Sequence, residues 1–128
     1  MTATSVDPPV SDLVTVTVTT SDTVVRVTAA GEIDSTSAPV LREHLDTVLG
    51  SGAQEFVVDL VQVTFLDSAG LCVLAAAHRR AGERGIRMRV LASSRAVIRP
   101  LQITGLWDLL KAEQVDGGPS VPTQQGVA

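Results

Sequence analysis

The feature that most restricts the fold is the run Phe56-Val57-Val58-Asp59-Leu60, which carries a single charge. A short apolar run of this kind is consistent with a strand buried on both faces, as parallel sheets require. Behind it, Leu71, Leu74, Ala75 and His78 recur at helical spacing until Gly82 and Gly85. Ile86, Met88 and Val90 then alternate with Arg87 and Arg89, the pattern of a further strand. Strand, helix and strand at this spacing make a βαβ unit, which should be right-handed.

The flanking segments extend that unit. Val14, Val16 and Val18 alternate with Thr15, Thr17 and Thr19, and Val25, Val27 and Ala29 continue the alternation past a turn at Ser21-Asp22. The short connection makes these two strands an antiparallel hairpin, with Gly31 at its end. Ser37 is placed to cap a helix with Pro39 in its first turn; Leu41, Leu45, Val48 and Leu49 form its apolar face, and Gly50 and Gly52 its stop. Ser94 is placed to cap another helix, which Pro100 should kink or keep very short, since proline removes a backbone hydrogen bond. Leu106 to Leu110 reads as a closing helical turn, with Trp107 as a core or edge plug.

The expected fold class is therefore α/β: a mixed β-sheet of four to five strands with helices packed against it, in a single domain. Its 128 residues suit one core. With aromatics at 2 % against 45 % apolar residues, that core must be built from Val, Leu, Ile and Ala. Residues 1–11 and 112–128 are rich in Pro, Gly and small polar groups, with too little apolar content to offset ordering entropy, so disordered tails are expected on either side of a domain at 12–111.

Composition also narrows the function. A single cysteine, Cys72, rules out an internal disulfide and fits a reducing compartment, so a cytoplasmic protein is expected. The amino-terminal residues lack a secretory signal, and no apolar run reaches spanning length, so no membrane partner is expected. A net charge of −4 disfavours nucleic acid as a partner. Arg79, Arg80, Arg84, Arg87, Arg89, Arg95 and Arg99 nevertheless make a basic segment, which reads first as a solvated face.

Three polar features should converge at the carboxyl ends of the strands, where open sheets with βαβ units carry their sites. They are the loop Gly31-Glu32-Ile33-Asp34, the exit of the apolar strand, and Asp67-Ser68 opening the next helix. Ser68 reads as the N-cap of that helix, a structural role that alone would explain a serine there. The same junction is exposed to a kinase, and the free N–H groups and helix dipole would tolerate a phosphate. A phosphate adds about −1.5 to −2 charge beside Asp67, enough to repel a docked partner.

Other chemistries fit poorly. Leu66-Asp67-Ser68-Ala69-Gly70 lacks the first glycine of a G-x-S-x-G nucleophile elbow. His78 would lie about 15 Å of helical rise from Ser68, beyond the reach of a base. His44 is unmarked by any motif, so a catalytic triad is not expected. Cys72, among Leu71, Val73 and Leu74, reads as an inert buried thiol. No Cys/His cluster has metal-ligand spacing and no glycine-rich phosphate loop is present, so no cofactor is expected.

These residues together resemble a STAS domain of the anti-sigma factor antagonist type. The resemblance spans roughly residues 12 to 111 and rests on Gly31-Glu32-Ile33-Asp34, on Val58-Asp59-Leu60 followed by Phe65-Leu66-Asp67-Ser68-Ala69-Gly70-Leu71, and on Ser94-Arg95-Ala96-Val97 leading to Thr104-Gly105-Leu106-Trp107. It implies a STAS-like fold and a non-enzymatic protein whose Ser68 is phosphorylated by an anti-sigma factor serine kinase. The unphosphorylated form would bind that kinase and release a sigma factor; phosphorylation would break the contact until a serine phosphatase resets it. It implies a partner-binding surface of Asp34, Ser35, Thr36, Asp67, Ser68, Ala69, Gly70 and Leu71, with Asp34 and Asp67 shaping an acidic face and Gly70 allowing close approach. The alternative within the same family is a constitutive scaffold or accessory subunit of a stress-signalling or transport assembly, indifferent to Ser68. Many members read D-S-S-G where this chain has Ala69, which leaves one hydroxyl in the motif.

Overall fold

The structure is a computed structural model that describes residues 12–115. Residues 1–11 and 116–128, the bulk of the two expected tails, lie outside the described residues. In chain order the elements are β1 (Val14–Ser21), β2 (Val24–Ile33), α1 (Ala38–Leu49), β3 (Glu55–Leu66), α2 (Ser68–Glu83), β4 (Arg87–Ala92), α3 (Arg95–Ile103), α4 (Leu106–Leu109) and β5 (Glu113–Gln114). Among the described residues the sheet has five strands, in the order β1-β2-β3-β4-β5. β1 pairs antiparallel to β2, and every later neighbour pairs parallel, so the sheet is mixed, as its sequence pattern requires. β5 extends the sheet beyond the boundary drawn at residue 111.

The apolar run of β3 is buried throughout, but its two faces are buried by different means. Phe56, Val58 and Leu60 join the main core with the apolar faces of α1, α2 and α3. Val57 stands opposite Arg26 on one neighbouring strand and Arg89 on the other, so it shares their face of the sheet. Arg26 pairs with Asp59 at 2.6 Å, and Arg89 pairs with Glu55 and Glu113. Val57 is only 4% exposed between these half-exposed arginines, as expected where aliphatic stems lie over an apolar neighbour and the charged heads reach water. The second face of the central strand is thus sealed by ion-paired side chains.

Several local expectations shift by a residue or a role. β2 continues to Ile33, past Gly31, whose φ of +112° sits at a register shift. A side chain there would run into the Leu13 carbonyl, and the next amide, of Glu32, donates to that same oxygen at 2.8 Å. Glycine is needed for close backbone approach rather than as a stop. Gly82 lies inside α2, and Gly85, at φ +68°, follows the C-cap Arg84. α3 runs through Pro100 to Ile103. Trp107 packs partly buried against the core, as a plug.

Candidate functional site

The site forms where β2 and β3 end. Ile33 and Leu66 are register partners in the parallel pair, so Asp34 and Asp67 leave the sheet side by side. The Asp67 amide donates to the Ile33 carbonyl at 3.1 Å, which ties the two exits together. Neighbouring parallel strands lie about 4.8 Å apart, so the two following turns share one surface.

Asp67, not Ser68, is the N-cap of α2. Its backbone is extended, with φ −107° and ψ −169°, and its carboxylate accepts from the Ala69 amide at 2.9 Å. Aspartate caps better than a serine one residue later because its oxygen reaches the second amide of the helix and its charge favours the dipole. Ser68 becomes the first helical residue. It is exposed, and among the described residues its hydroxyl has no hydrogen-bond partner. The cap and the free hydroxyl are therefore on different residues.

Asp34 has a comparable structural task in the other turn. One carboxylate oxygen accepts from the Thr36 amide at 2.8 Å, the Thr36 hydroxyl at 2.7 Å and the Ser37 amide at 3.1 Å. The Thr36 hydroxyl, then its amide, hold this carboxyl below the ordinary aspartate range. Ser37 stands at the N-cap position of α1 yet makes no side-chain cap. Fully buried, it donates to the Glu32 carbonyl at 2.7 Å and accepts from the Asp34 amide at 2.9 Å. Sequence reading missed this bridge, although Asp-x-Thr-Ser is the pattern of an Asx turn.

The remaining expected partner-binding residues divide by exposure. Ser35 and Thr36 are exposed; Asp34, Asp67 and Ala69 are half-buried; Gly70 and Leu71 are buried. A Cβ on Gly70 would meet Leu66 and, at 2.8 Å, Ile33 Cγ2. The glycine lets α2 start close against the sheet, which corrects the reading that it opens a path for a partner. Cys72 is exposed, not buried, because it falls off the Leu71-Leu74 stripe. It lines a groove of about 390 Å³ between α1 and α2, with Ser35, Ala38, Pro39, Arg42, Ala69, Val73 and Ala76.

Neither histidine joins the site. His44 uses Nδ1 on the Val40 carbonyl at 2.8 Å, and His78 lines a separate cleft with Arg87, Arg89 and Lys111. The basic segment disperses: Arg80 pairs with Asp46, Arg84 donates to the Leu49 carbonyl, and Arg89 joins the ion pairs of the sheet. Among the described residues no group of three or more His, Cys, Asp or Glu side chains could hold a metal, and no helix is long and apolar enough to cross a membrane.

Known proteins resemble this chain in sequence and fold. A family model described as the STAS domain matches residues 15–116. The anti-sigma-F factor antagonist RsfB of Mycobacterium tuberculosis is 35% identical over 95 residues, 74% of this chain and 77% of that protein. The anti-sigma-B factor antagonist of Bacillus subtilis is 37% identical over 86 residues, 67% of this chain and 78% of that one. The crystal structure of an anti-sigma factor antagonist from Mycobacterium paratuberculosis superposes with a TM-score of 0.73 at 34% identity, covering 77% of this chain and 84% of that one.

Proposed function

The chain belongs to the STAS domain family, and on that premise we propose that it is an anti-sigma factor antagonist working by partner switching. In its unphosphorylated form it binds an anti-sigma factor serine kinase in the cytoplasm, and a sigma factor is released. Transfer of phosphate to Ser68 ends the binding, and a serine phosphatase restores it. The protein performs no chemistry of its own; it is a substrate and a docking partner, without nucleic acid or membrane contact.

The observation that carries this reading is the separation of cap from hydroxyl at the start of α2. Asp67 satisfies the helix end, so Ser68 is exposed and free among the described residues. A phosphate there costs no native hydrogen bond, and it adds about −1.5 to −2 charge next to two carboxylates. Repulsion worth about 1.4 kcal/mol already weakens docking tenfold. The exposed surface available to a partner is Ser35, Thr36, Ser68 and the rim of Ala69, with Asp34 and Asp67 supplying negative charge from fixed positions.

The test uses Ser68→Ala and Ser68→Asp. With the cognate kinase, Ser68→Ala should bind as the unmodified protein does, and Ser68→Asp at least about tenfold more weakly. Equal binding by the two variants would sink the switch and favour a constitutive scaffold. Incubation with kinase and ATP should put the phosphate on the peptide that contains Ser68; modification elsewhere would refute the assignment.

A further inference from the structure

We propose that Arg42 is the cation that receives a phosphate on Ser68, so that modification draws a bridge across the groove between α1 and α2. This rests on the reading of Ser68 as the phosphate acceptor.

Ala38 and Arg42 line the groove on the α1 side, and Ala69 and Cys72 on the α2 side. Ser68 precedes Ala69 and lies four residues before Cys72, which puts it on the same face of α2 as the thiol, one turn higher. Among the described residues that line the groove, Arg42 is the one that carries a charge. It is exposed, and among the described residues it has no ion pair or hydrogen bond.

The relative height of the two helices follows from the contacts further down. Asp46, one turn beyond Arg42 on α1, pairs with Arg80 at 2.5 Å, and Arg84 donates to the Leu49 carbonyl at 3.0 Å. Long side chains lean about a turn toward the helix amino terminus, so the backbones of Arg80 and Arg84 lie about a turn below their partners. Carried upward, this offset puts the Arg42 backbone level with Cys72, and the same lean brings its guanidinium toward the level of Ser68. Asp46 shows that a charged side chain on this face of α1 meets a partner from α2.

The two carboxylates at the strand exits beside Ser68 are negative. Asp67 caps the helix beside it and Asp34 is held in the adjoining turn. A dianionic phosphate next to these carboxylates needs a counter-charge, and a planar guanidinium matches its oxygens in pairs. Held in this way, the phosphate covers the apolar groove as well as changing its charge. The block to docking is then steric and electrostatic together.

The decisive experiment installs phosphoserine at position 68 of the full chain by genetic encoding, which needs no kinase. The second ionisation of the phosphate is followed by 31P NMR against pH. A facing cation favours the dianion, so Arg42→Ala should raise this pKa by about 0.5, roughly a threefold fall in the ionisation constant for an exposed pair. Arg42→Lys should keep most of the effect, and Arg95→Ala, which removes an exposed charge from α3, should leave the titration unchanged. An unchanged titration in Arg42→Ala, or an equal change in Arg95→Ala, overturns the proposal. Failure of every kinase to modify Ser68 would instead remove the switch, while an Arg42-dependent titration would still support the phosphate site.

Discussion

At the scale of single residues, the division of labour between Asp67 and Ser68 has a measurable consequence. Asp67→Ala loses a charged N-cap and should cost about 1 kcal/mol in denaturant unfolding. Ser68→Ala removes no bond seen in the structure and should leave the midpoint nearly unchanged. A reversal of that order would return the cap to Ser68. Gly70 supplies a second case. Its missing side chain faces Ile33 and Leu66, so Gly70→Ala should destabilise by about 1–3 kcal/mol through overpacking, before any partner is considered. The D-S-x-G run was readable as a motif, but the direction each residue faces was not. A one-residue change of role at a helix start depends on which oxygen the fold brings within reach of the free amides.

Among the elements, the turn between β2 and α1 is held by Asp34 and Ser37 rather than by its apolar content. The carboxyl of Asp34 is held low in the folded chain by Thr36, so the native state binds its proton less readily than the unfolded chain does. This contribution to stability is present above the ordinary aspartate range and is lost as pH falls through the lowered folded value. Asp34→Ala should therefore melt below the parent at neutral pH, with the gap closing on the acid side of the ordinary aspartate range. A gap that persists there would assign the turn's stability to other bonds. On the opposite face of the sheet, Asp59 is 8% exposed and supports both Arg26 and the Val61 amide. Asp59→Ala should cost about 1–2 kcal/mol in denaturant unfolding, a value reduced by the exposure of Arg26. The alternation in β1 and β2 and the apolar stripes of the helices made these elements legible. Proline inside α3 was the exception, because packing of Val97, Ile98 and Leu101 outweighs one lost backbone bond.

For the whole molecule, the closing strand matters more than its two residues imply. β5 pairs with Leu91 and Ala92 of β4, and Glu113 holds Arg89 at 3.0 Å over the outer face of the sheet. A chain ending at Lys111 should melt at lower temperature than one ending at Val115; equal melting would make β5 ornamental. This strand escaped the sequence reading because two exposed polar residues carry no periodicity, and only the register of β4 recruits them. By itself, the sequence determined the fold class, the order of the first four strands and their helices, and the position of Ser68 at the opening of α2. Hydrophobic period and glycine placement are local signals, and they sufficed for that. Only the tertiary structure decided that Asp67 takes the cap, that Gly70 faces inward, that Cys72 is exposed, and that Arg42 shares a groove with the start of α2. Those outcomes depend on the offset between parallel strands and between two helices, which arises from contacts between residues about 34 positions apart.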